Sequence, residues 1–574
     1  MNFTTETKNP VKFQEIKEIK SGEVSEYLVR IEFENEISPD TYSIIWEEEQ
    51  IDILGFWSSK AAVQHNITPD WNTRKEESRT ASGMPLIALY NKANTNRMTV
   101  ALSDPSNPIT LSAGVVEETG RVNIKIDLFS QLCASIKEYE VIIRIDRRAI
   151  PHYQCLKDAR KWWSDIGYEC AYTPNYAKLP MYSTWYSFHQ HTIPDEIINE
   201  CKIAKEYGMD TVIVDDGWQT DDNSRGYAFC GDWQVCETKI PNMKDFVDKI
   251  HSLGMKFMIW FSVPFVGFES KNYERFKGMY LNTREKMRAS VLDPRFKEVR
   301  DFLTDIYAES VEKYGWDGLK LDFIDSFALS EESSQNYEKM DTVSVEEGLQ
   351  RLLSEATEKL KKINPEIMIE FRQSYIGPAI SRYGNIFRVT DCPNDPIYNR
   401  VFSLNLRLTS GTTAVHSDMI MWNSNDTNES VLYQLLSVMF AVPQISVRFD
   451  KITADHKKIL KGYLEFWKNH RDVLLNGELK VYDAEANYSM AQSQKDGQSV
   501  AVLYQGVVKR VECECEYIFN STGKNDIYVE ADENRKYEIY DIFGNKYSSG
   551  EIAKGISKLP IKNCEMVKII KPLF

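Results

Sequence analysis

The spacing of hydrophobic residues changes twice along the chain. Up to about residue 175, apolar and polar residues alternate in short segments such as 27–33, 98–102 and 122–128. This period of two is typical of strands with one buried face, and turn-rich pieces such as 103–108 separate the segments. Many short strands with such turns predict an N-terminal β-sandwich domain over residues 1–175. A helix is expected near its end, at 156–166.

From about residue 181, short apolar segments alternate with helical patterns. Eight β-then-α units in about 270 residues have the length and order of a (β/α)8 TIM barrel, which we expect over residues 176–474. The strand candidates are Met181–Trp185, Thr211–Asp215, Lys256–Trp260, Gly318–Asp322, Ile367–Arg372, Phe387–Asp391, Thr413–His416 and Gln444–Phe449. Helical patterns between them include Pro194–Tyr207, Met243–Ser252, Phe296–Tyr314 and Val345–Ile363.

Strand texture returns after a further helical pattern at 455–474. Segments 499–504 and 537–542 read as strands, and Gly-containing turns follow the second of them. The sequence therefore predicts a C-terminal β-sandwich domain over 475–574, giving an α/β protein with a central barrel between two β domains.

The strand candidate Gly318–Asp322 carries a charged pair. Lys320 and Asp322 have the same parity, so their side chains point to one face of the strand. A nearby cation favours the ionised carboxylate, which suits a nucleophile in covalent catalysis. A structural ion pair at a strand end is an equally good interpretation of these residues alone.

Polar and aromatic residues gather at the predicted strand ends, where active sites of this fold lie. They are Trp185, Asp215, Asp216, Trp260, Asp322, Arg372, Asp391 and the run 416–418. Adjacent carboxylates can bind two neighbouring hydroxyls, and two further carboxylates on different strands can act as nucleophile and general acid/base in glycoside hydrolysis. Each acidic cluster, including Asp391 with Asp395, could separately be a capped turn. All of them being turns at once is much less expected.

Composition narrows the function classes. The formal net charge of −16 argues against a nucleic-acid partner, and no apolar run is long enough to span a membrane. The 12 Trp and 30 Tyr suit a protein that stacks on the rings of a small carbohydrate. The ten scattered cysteines and the absence of a secretory pattern at the N-terminus lead us to expect a cytoplasmic protein with reduced thiols. Homo-oligomer formation stays open.

Other chemistries find little support. His189 and His191 form the H-x-H pattern of metal-dependent barrel hydrolases, but strands five and six offer Arg372 and Asp391 where that site needs histidines. No phosphate-binding glycine loop and no nucleophile elbow is present. We therefore expect neither a metal nor another cofactor.

Several motifs together resemble those of glycoside hydrolase family 36, the bacterial α-galactosidases. Residues 212–218 resemble its "DDGW" segment, 231–233 with 239–241 its "GDW…KFP", and 251–261 its "GKFGLWF" strand. Residues 291–301 and then 319–322 resemble "VLD…VRD…LKWD". Order and spacing agree from about 181 to 325.

This resemblance implies an N-terminal sandwich, a barrel and a C-terminal β domain, and it implies roles for particular residues. Asp322 would be the nucleophile of a retaining mechanism and Asp391 its acid/base. Asp215 and Asp216 would bind the 4- and 6-hydroxyls of the terminal sugar. Trp233 and Lys320 would line the same subsite. The implied enzyme is an α-galactosidase acting by double displacement.

The chain departs from the family pattern on strand five. The usual "CSGGGGR" segment is replaced by 369–375, whose inward parity includes Glu370 and Arg372. We expect both side chains to face the sugar cavity. The departure leaves open a different sugar, transglycosylation, or a barrel that binds sugar without catalysis. The sequence also does not decide between Asp391 and Asp395 as proton donor, although we favour Asp391 because it ends the predicted sixth strand.

Overall fold

The N-terminal part of the chain forms two six-stranded sheets that bury one face each. The computed structural model describes residues 1–61 and 63–571. In the strand at 121–128, Val122, Ile124, Ile126 and Leu128 are fully buried while the residues between them are partly exposed. This alternation is what packs two sheets around one core. The strands are β1 Thr4–Glu6, β2 Val11–Lys20, β3 Val24–Ile37, β4 Tyr42–Glu49, β5 Gly55–Ser58, β6 Thr68–Pro69, β7 Arg74–Ser78, β8 Leu86–Tyr90, β9 Asn96–Leu102, β10 Ile109–Val115, β11 Arg121–Leu128 and β12 Ile136–Asp146. One sheet contains β1, β4, β6, β7, β10 and β11, and the other contains the remaining six.

The middle of the chain is a parallel barrel, as the sequence predicts. Its strands are β13 Met181–Ser183, β14 Thr211–Val214, β15 Lys256–Ser262, β19 Gly318–Asp322, β20 Met368–Arg372, β21 Ile386–Arg388, β22 Ala414–His416 and β23 Gln444–Ile445. They pair in this order, β23 pairs back with β13, and a parallel bridge from His416 to Val442 joins β22 to the segment before β23. A small antiparallel sheet interrupts the alternation after β15; it consists of β16 Phe265–Gly267, β17 Tyr280–Arg284 and β18 Ala289–Leu292.

Most of the longer helices lie around this barrel with one apolar face buried. The helices are α1 His152–Asp165, α2 Trp185–Phe188, α3 Pro194–Glu206, α4 Met243–Ser252, α5 Asn272–Arg275, α6 Lys297–Tyr314, α7 Val345–Ile363, α8 Pro396–Thr409, α9 Asn428–Ser437, α10 Ala454–Asn469 and α11 Arg471–Asn476. Helix α1 packs on β8, β9 and α8, whereas α11 packs on the strands Met490–Lys495 and Gln498–Leu503 of the C-terminal part. Within the described residues, none of these helices combines the length and apolar character needed to cross a membrane.

The C-terminal part contains a seven-stranded and a three-stranded sheet. Their strands are β24 Glu478–Tyr482, β25 Met490–Lys495, β26 Gln498–Leu503, β27 Val508–Val511, β28 Cys515–Asn520, β29 Ile527–Ala531, β30 Arg535–Tyr540, β31 Lys546–Ile552, β32 Gly555–Leu559 and β33 Met566–Ile570. The predicted fold class, a barrel flanked by two β regions, is thus confirmed.

The element ends differ from the sequence prediction in ways that matter for the site. The first barrel strand stops at Ser183, and Trp185 begins the short helix α2. The sixth strand stops at Arg388, so Asp391 lies in the following loop rather than at the strand end. Its predicted extension fails because Pro393 and Asn394, residues that favour turns, follow so closely. The predicted helix at 455–474 is two helices, α10 and α11.

Candidate active site

Asp322 is the last residue of β19 and lies at the carboxyl end of the barrel. Its Oδ1 accepts hydrogen bonds from Phe323 N (2.8 Å), Arg372 Nε (2.6 Å) and the Tyr375 hydroxyl (3.1 Å). Among the described residues, its Oδ2 accepts a single hydrogen bond, from Trp260 Nε1 at 3.1 Å. One oxygen is therefore held by three donors, while the other has a single donor and keeps lone-pair capacity for chemistry.

The surroundings of Asp322 keep its carboxylate ionised. Burial by itself raises the pKa, but the positive charges of Arg372 and Lys320 and the Trp260 hydrogen bond hold the pKa of Asp322 well below its usual range. The residue after it, Phe323, has a φ of 63°, a left-handed conformation that is uncommon for a bulky side chain. This turn lets the Phe323 N–H donate back to the carboxylate.

Asp215 and Asp216 follow β14 and are both buried, yet their oxygens have different partners. Asp215 Oδ2 accepts from Lys320 Nζ at 2.5 Å, and Oδ1 accepts from Asp216 N at 3.0 Å. Asp216 is held by two amides, Gln219 Nε2 on Oδ1 and Gln190 Nε2 on Oδ2, both at 2.7 Å. Burial raises the pKa of Asp216 to about 6, although these two hydrogen bonds oppose the rise. The structure thus links the second and fourth strands through the Asp215–Lys320 pair.

Steric contact explains why the "DDGW"-like segment has a glycine at position 217. Gly217 has a φ of 109°, and a Cβ there would lie 2.4 Å from the backbone oxygen of Gln190. The loops after β13 and β14 therefore run in direct contact. Lys239 ties them together, since its Nζ donates to Gln190 O and Gly217 O, both at 2.9 Å. This lysine of the "KFP"-like segment shapes the site without entering it.

The tryptophans form one wall beside the carboxylates. Trp233 stacks on Trp218 with ring centroids 6.1 Å apart and meets Trp260 edge to face at 6.0 Å. Trp260 in turn donates to Asp322, so this wall connects directly to the candidate nucleophile. Trp185 lies elsewhere on the rim, stacked on His189 at 4.0 Å.

His189 and His191 do not assemble a metal centre with other side chains. His191 is exposed, and His189 is occupied by its contact with Trp185. Over residues 1–61 and 63–571, no group of three or more His, Cys, Asp or Glu side chains has the arrangement of metal ligands.

Asp391 and Asp418 share one arginine. Arg388 Nη2 donates to Asp391 Oδ1 at 2.8 Å, and Arg388 Nη1 donates to Asp418 Oδ1 at 2.5 Å. The side chain of Asp391 is 51% exposed, whereas Asp418 is fully buried and also accepts from the Tyr186 hydroxyl at 3.0 Å and from Cys392 N at 2.7 Å. The Arg388 charge lowers the pKa of Asp391, and burial raises that of Asp418 to about 6. Of the two carboxyls, only Asp391 is accessible to a ligand.

Glu370 lies deeper than sequence parity suggests. It is only 1% exposed, its Oε2 accepts from Gln444 Nε2 at 2.6 Å, and its Oε1 lies 3.4 Å from Arg388 Nε. Arg372, two residues later on β20, reaches Asp322 at the rim. Two residues of strand rise about 6.6 Å, which places Glu370 one layer below Arg372 in the barrel interior. Arg372 therefore lies at the rim beside Asp322, whereas Glu370 is buried below it; the expectation that both side chains face one sugar cavity stays a prediction.

Asp395 is the N-cap of α8. Its Oδ1 accepts from Ile397 N at 3.1 Å and Tyr398 N at 3.0 Å, and Pro396 occupies the first helical position. This is the arrangement that Asp favours at helix starts. Its carboxylate therefore caps the helix, whereas the carboxylate of Asp391 contacts Arg388.

The sequence analysis did not identify three residues that donate hydrogen bonds to the acidic side chains of the site: Gln190, Arg388 and Tyr375. Arg388 carried a signal, because a charged residue of inward parity on strand six mirrors the unusual charges on strand five. Gln190 and Tyr375 lie in loops, where no periodicity indicates direction. Asp418, in the run 416–418, is a buried partner of Arg388.

Comparison with known proteins agrees with this geometry. The Melibiase family model matches residues 180–407. Segments of the chain are 30% identical over 155 residues to the bifunctional α-galactosidase/sucrose kinase AgaSK of Mediterraneibacter gnavus, and 31% identical over 151 residues to the α-galactosidase Mel36A of Lactobacillus acidophilus. Each match covers 25% of this chain but only 16% and 19% of the respective relative.

Solved structures extend the likeness to the whole fold. The galactosidase domain of AgaSK superposes with a TM-score of 0.66 at 16% identity, covering 96% of this chain and 78% of that one. The GH36 α-galactosidase AgaA from Geobacillus stearothermophilus gives 0.63 at 15% identity, covering 96% and 79%. Variants of AgaA have been solved in complex with stachyose and with raffinose. The Melibiase family model therefore matches the barrel region of the chain, and the whole chain shares its fold with solved GH36 α-galactosidases.

Proposed function

We propose that the chain is a retaining α-glycosidase that removes a terminal α-galactosyl group, with Asp322 as nucleophile and Asp391 as acid/base. The observation that carries this proposal is the asymmetric hydrogen bonding of Asp322. Three donors fix Oδ1, and Oδ2 has one donor and lies at the carboxyl end of the fourth barrel strand. An ionised, rigid carboxylate with one less encumbered oxygen is what a glycosyl nucleophile requires.

In the first step, Oδ2 of Asp322 attacks the anomeric carbon, and the bond from that carbon to the leaving oxygen breaks. Asp391 donates its proton to that oxygen, so the leaving group departs as a neutral alcohol. In the second step, Asp391 removes a proton from water, which attacks the same carbon and releases Asp322. Both displacements invert the configuration, so the net result is retention.

The charges around Asp391 support its role as a base in the second step. In the free protein burial and the negative charge of Asp322 raise the pKa of Asp391, but the positive charges of Arg388 and Lys320 outweigh them and hold it below its usual range. Formation of the glycosyl ester neutralises Asp322 and removes that raising effect. The pKa of Asp391 therefore falls in the intermediate, where the residue must act as a base.

Sugar recognition falls to the pair Asp215 and Asp216. Each carboxylate oxygen can accept about two hydrogen bonds, and the protein uses one at each of the four oxygens, which leaves capacity for the 4- and 6-hydroxyls. Trp233 and Lys320 complete this subsite. A neutral polyhydroxylated ligand suits such a set of paired charges.

The test is hydrolysis of a panel of nitrophenyl α- and β-glycosides with the wild type, Asp322→Ala and Asp391→Ala. We expect the α-galactoside to be preferred, the first-formed sugar to be the α-anomer by NMR, and Asp322→Ala to be inactive on every substrate. In Asp391→Ala, the rate of oligosaccharide cleavage should fall by about 10²–10⁴-fold. Glycosides with acidic phenol leaving groups should still form the covalent intermediate, and added azide should restore turnover.

Other outcomes identify the alternatives. Preference for another α-glycoside would replace the sugar and keep the mechanism, and sugar-to-sugar transfer in excess of hydrolysis would indicate a transglycosylase. Saturable galactose binding without any turnover would show a barrel that binds sugar and has lost catalysis. Appearance of the β-anomer first would refute retention.

A further inference from the structure

A second cavity lies at the opposite end of the barrel from Asp322. It has a volume of about 370 Å³ and is bordered by the loop Gly411–Thr413 before β22 and by Lys178 before β13. Strand starts of a parallel barrel lie at the face away from the carboxyl ends. Helix α1 and the junction of α11 with β24 close its other sides, so N-terminal, barrel and C-terminal parts of the chain all contribute to the wall.

The charged residues in this wall are all cations. Lys157, Arg160, Lys178 and Arg407 border the cavity, and its lining includes no Asp or Glu. In the described part of the chain, none of these four side chains forms an ion pair with a carboxylate. The ammonium of Lys178 donates no hydrogen bond to any described residue, although the side chain is only partly exposed.

The hydrogen bonds that the other cations make are to neutral groups. Lys157 Nζ donates to Leu479 O at 2.6 Å, and Arg407 donates to three main-chain carbonyls, including Leu474 O at 3.0 Å. Arg160 donates to Tyr168 O at 3.0 Å. Carbonyl oxygens satisfy the N–H donors but leave the positive charges uncompensated, which is costly away from water.

The titration behaviour agrees with that cost. Burial lowers the pKa of Lys157 to about 8, with repulsion from Arg407 adding to the effect and Glu478 opposing it. Burial lowers the pKa of Arg407 to about 10, and burial with the Arg471 and Arg407 charges lowers that of Lys178. An anion in the cavity would reverse these shifts.

We propose that this cavity binds a small molecule through a phosphate monoester group. Four cations that border one cavity match a dianion better than a single carboxylate, and arginine and lysine are the side chains that hold phosphate. The volume suits a small ligand. Gly411, with a φ of 65°, keeps the loop close to Arg160: a Cβ there would lie 3.0 Å from Arg160 Nε. The bound group would join three parts of the chain and would lie far from the reacting carboxylates.

The experiment is calorimetric titration of the full chain with sodium phosphate, glucose 6-phosphate and neutral glucose, in chloride buffer of constant ionic strength. Lys178→Gln and Lys157→Gln each remove one cation, and Lys361→Gln is the control, a partly exposed lysine on α7 that also lacks an ion pair in the described residues. We expect saturable binding of a phosphate ligand that weakens about tenfold or more in each cavity variant and is unchanged in Lys361→Gln.

The titrations with the two phosphate ligands also distinguish between an organic phosphate monoester and free phosphate. Tighter binding of glucose 6-phosphate than of inorganic phosphate would identify an organic monoester, and equal binding would identify the free ion; both support the site. Saturable binding should also raise the Tm with phosphate concentration. The absence of saturable binding for both phosphate ligands, or equal affinities in the wild type and both cavity variants, would overturn the proposal. Because Lys178 makes no hydrogen bond to the described protein, its variant is expected to fold, which circular dichroism checks.

Discussion

Removal of the Arg372 charge should change both the ionisation of Asp322 and the stability of the fold. Arg372 Nε lies 2.6 Å from Asp322 Oδ1, and the two side chains are 15% and 11% exposed. Its positive charge is the largest influence that lowers the pKa of Asp322. We therefore choose Arg372→Gln, which deletes the charge, and Arg372→Lys, which keeps it.

The size of the effect follows from the geometry. An opposite charge at this distance lowers an aspartate pKa by about 1–3 units, and Lys320 stays in place, so Arg372→Gln should raise the pKa of Asp322 by about that amount. At 1.36 kcal/mol per unit, the variant should lose about 1.4–4 kcal/mol of unfolding free energy at pH 7. A carboxyl with a lowered folded pKa contributes stability above its unfolded pKa of about 3.9 and loses it as pH falls through the folded pKa. The difference between wild type and variant should therefore shrink below about pH 4.

The assay is the pH profile of kcat/KM on a nitrophenyl α-galactoside, together with urea unfolding at pH 7. The acidic limb reports protonation of Asp322, so it should move to higher pH in Arg372→Gln and much less in Arg372→Lys. If the limb stays at the wild-type pH in Arg372→Gln, Arg372 does not control the ionisation of the reacting carboxylate and the assignment of Asp322 fails. Equal stability loss in both variants would assign the effect to packing rather than charge.

Three further outcomes are expected. Asp395→Ala should cost about 0.5–2 kcal/mol of unfolding free energy through the lost cap of α8 but leave kcat unchanged, and a leaving-group-dependent loss of rate there would move the acid from Asp391 to Asp395. The pH profile of kcat/KM should change near pH 6, where Asp418, which shares Arg388 with Asp391, loses its proton; a flat profile from pH 5 to pH 8 would contradict this. Gln190→Ala removes one of two amide donors to Asp216 and should raise its pKa above about 6, which the pH dependence of galactose inhibition would detect as a shift to higher pH.

The barrel could be predicted from the sequence because each strand combines a short apolar run with a polar end. All eight strand candidates are barrel strands, and α4 and α7 have the predicted ends, Met243–Ser252 and Val345–Ile363. Strand boundaries were less reliable where turn residues follow closely. Asp391 shows this, since hydrogen bonding of β21 stops three residues earlier. Parity along a strand gives the face of a side chain but not its depth, which is why Glu370 was expected to face the same cavity as Arg372.

The partners of the acids could not be read in the same way. Tyr375 and Gln190 reach Asp322 and Asp216 from loops whose paths depend on packing between distant segments. The short motifs did predict the positions of the acidic residues. Those motifs also contain residues with special backbone geometry, such as Gly217 with its positive φ. Glu370 and Arg372 on strand five depart from the family pattern. The resemblance therefore could not predict the contacts that these two side chains make across the barrel.

The departure on strand five and the arginine on strand six depend on each other. Glu370 is almost fully buried beside Arg388, and Arg388 also holds Asp391 and Asp418, so three acids converge on one guanidinium. A buried charge deprived of its partner is strongly destabilising, whereas a pair replaced together by a neutral set can be tolerated. These four side chains are therefore one electrostatic unit, and a change of Glu370 alone to glycine would remove one of the three carboxylates that face the Arg388 guanidinium. Because Arg388 lowers the pKa of Asp391 and Glu370 faces the same guanidinium, a change of Glu370 should also alter the pKa of Asp391.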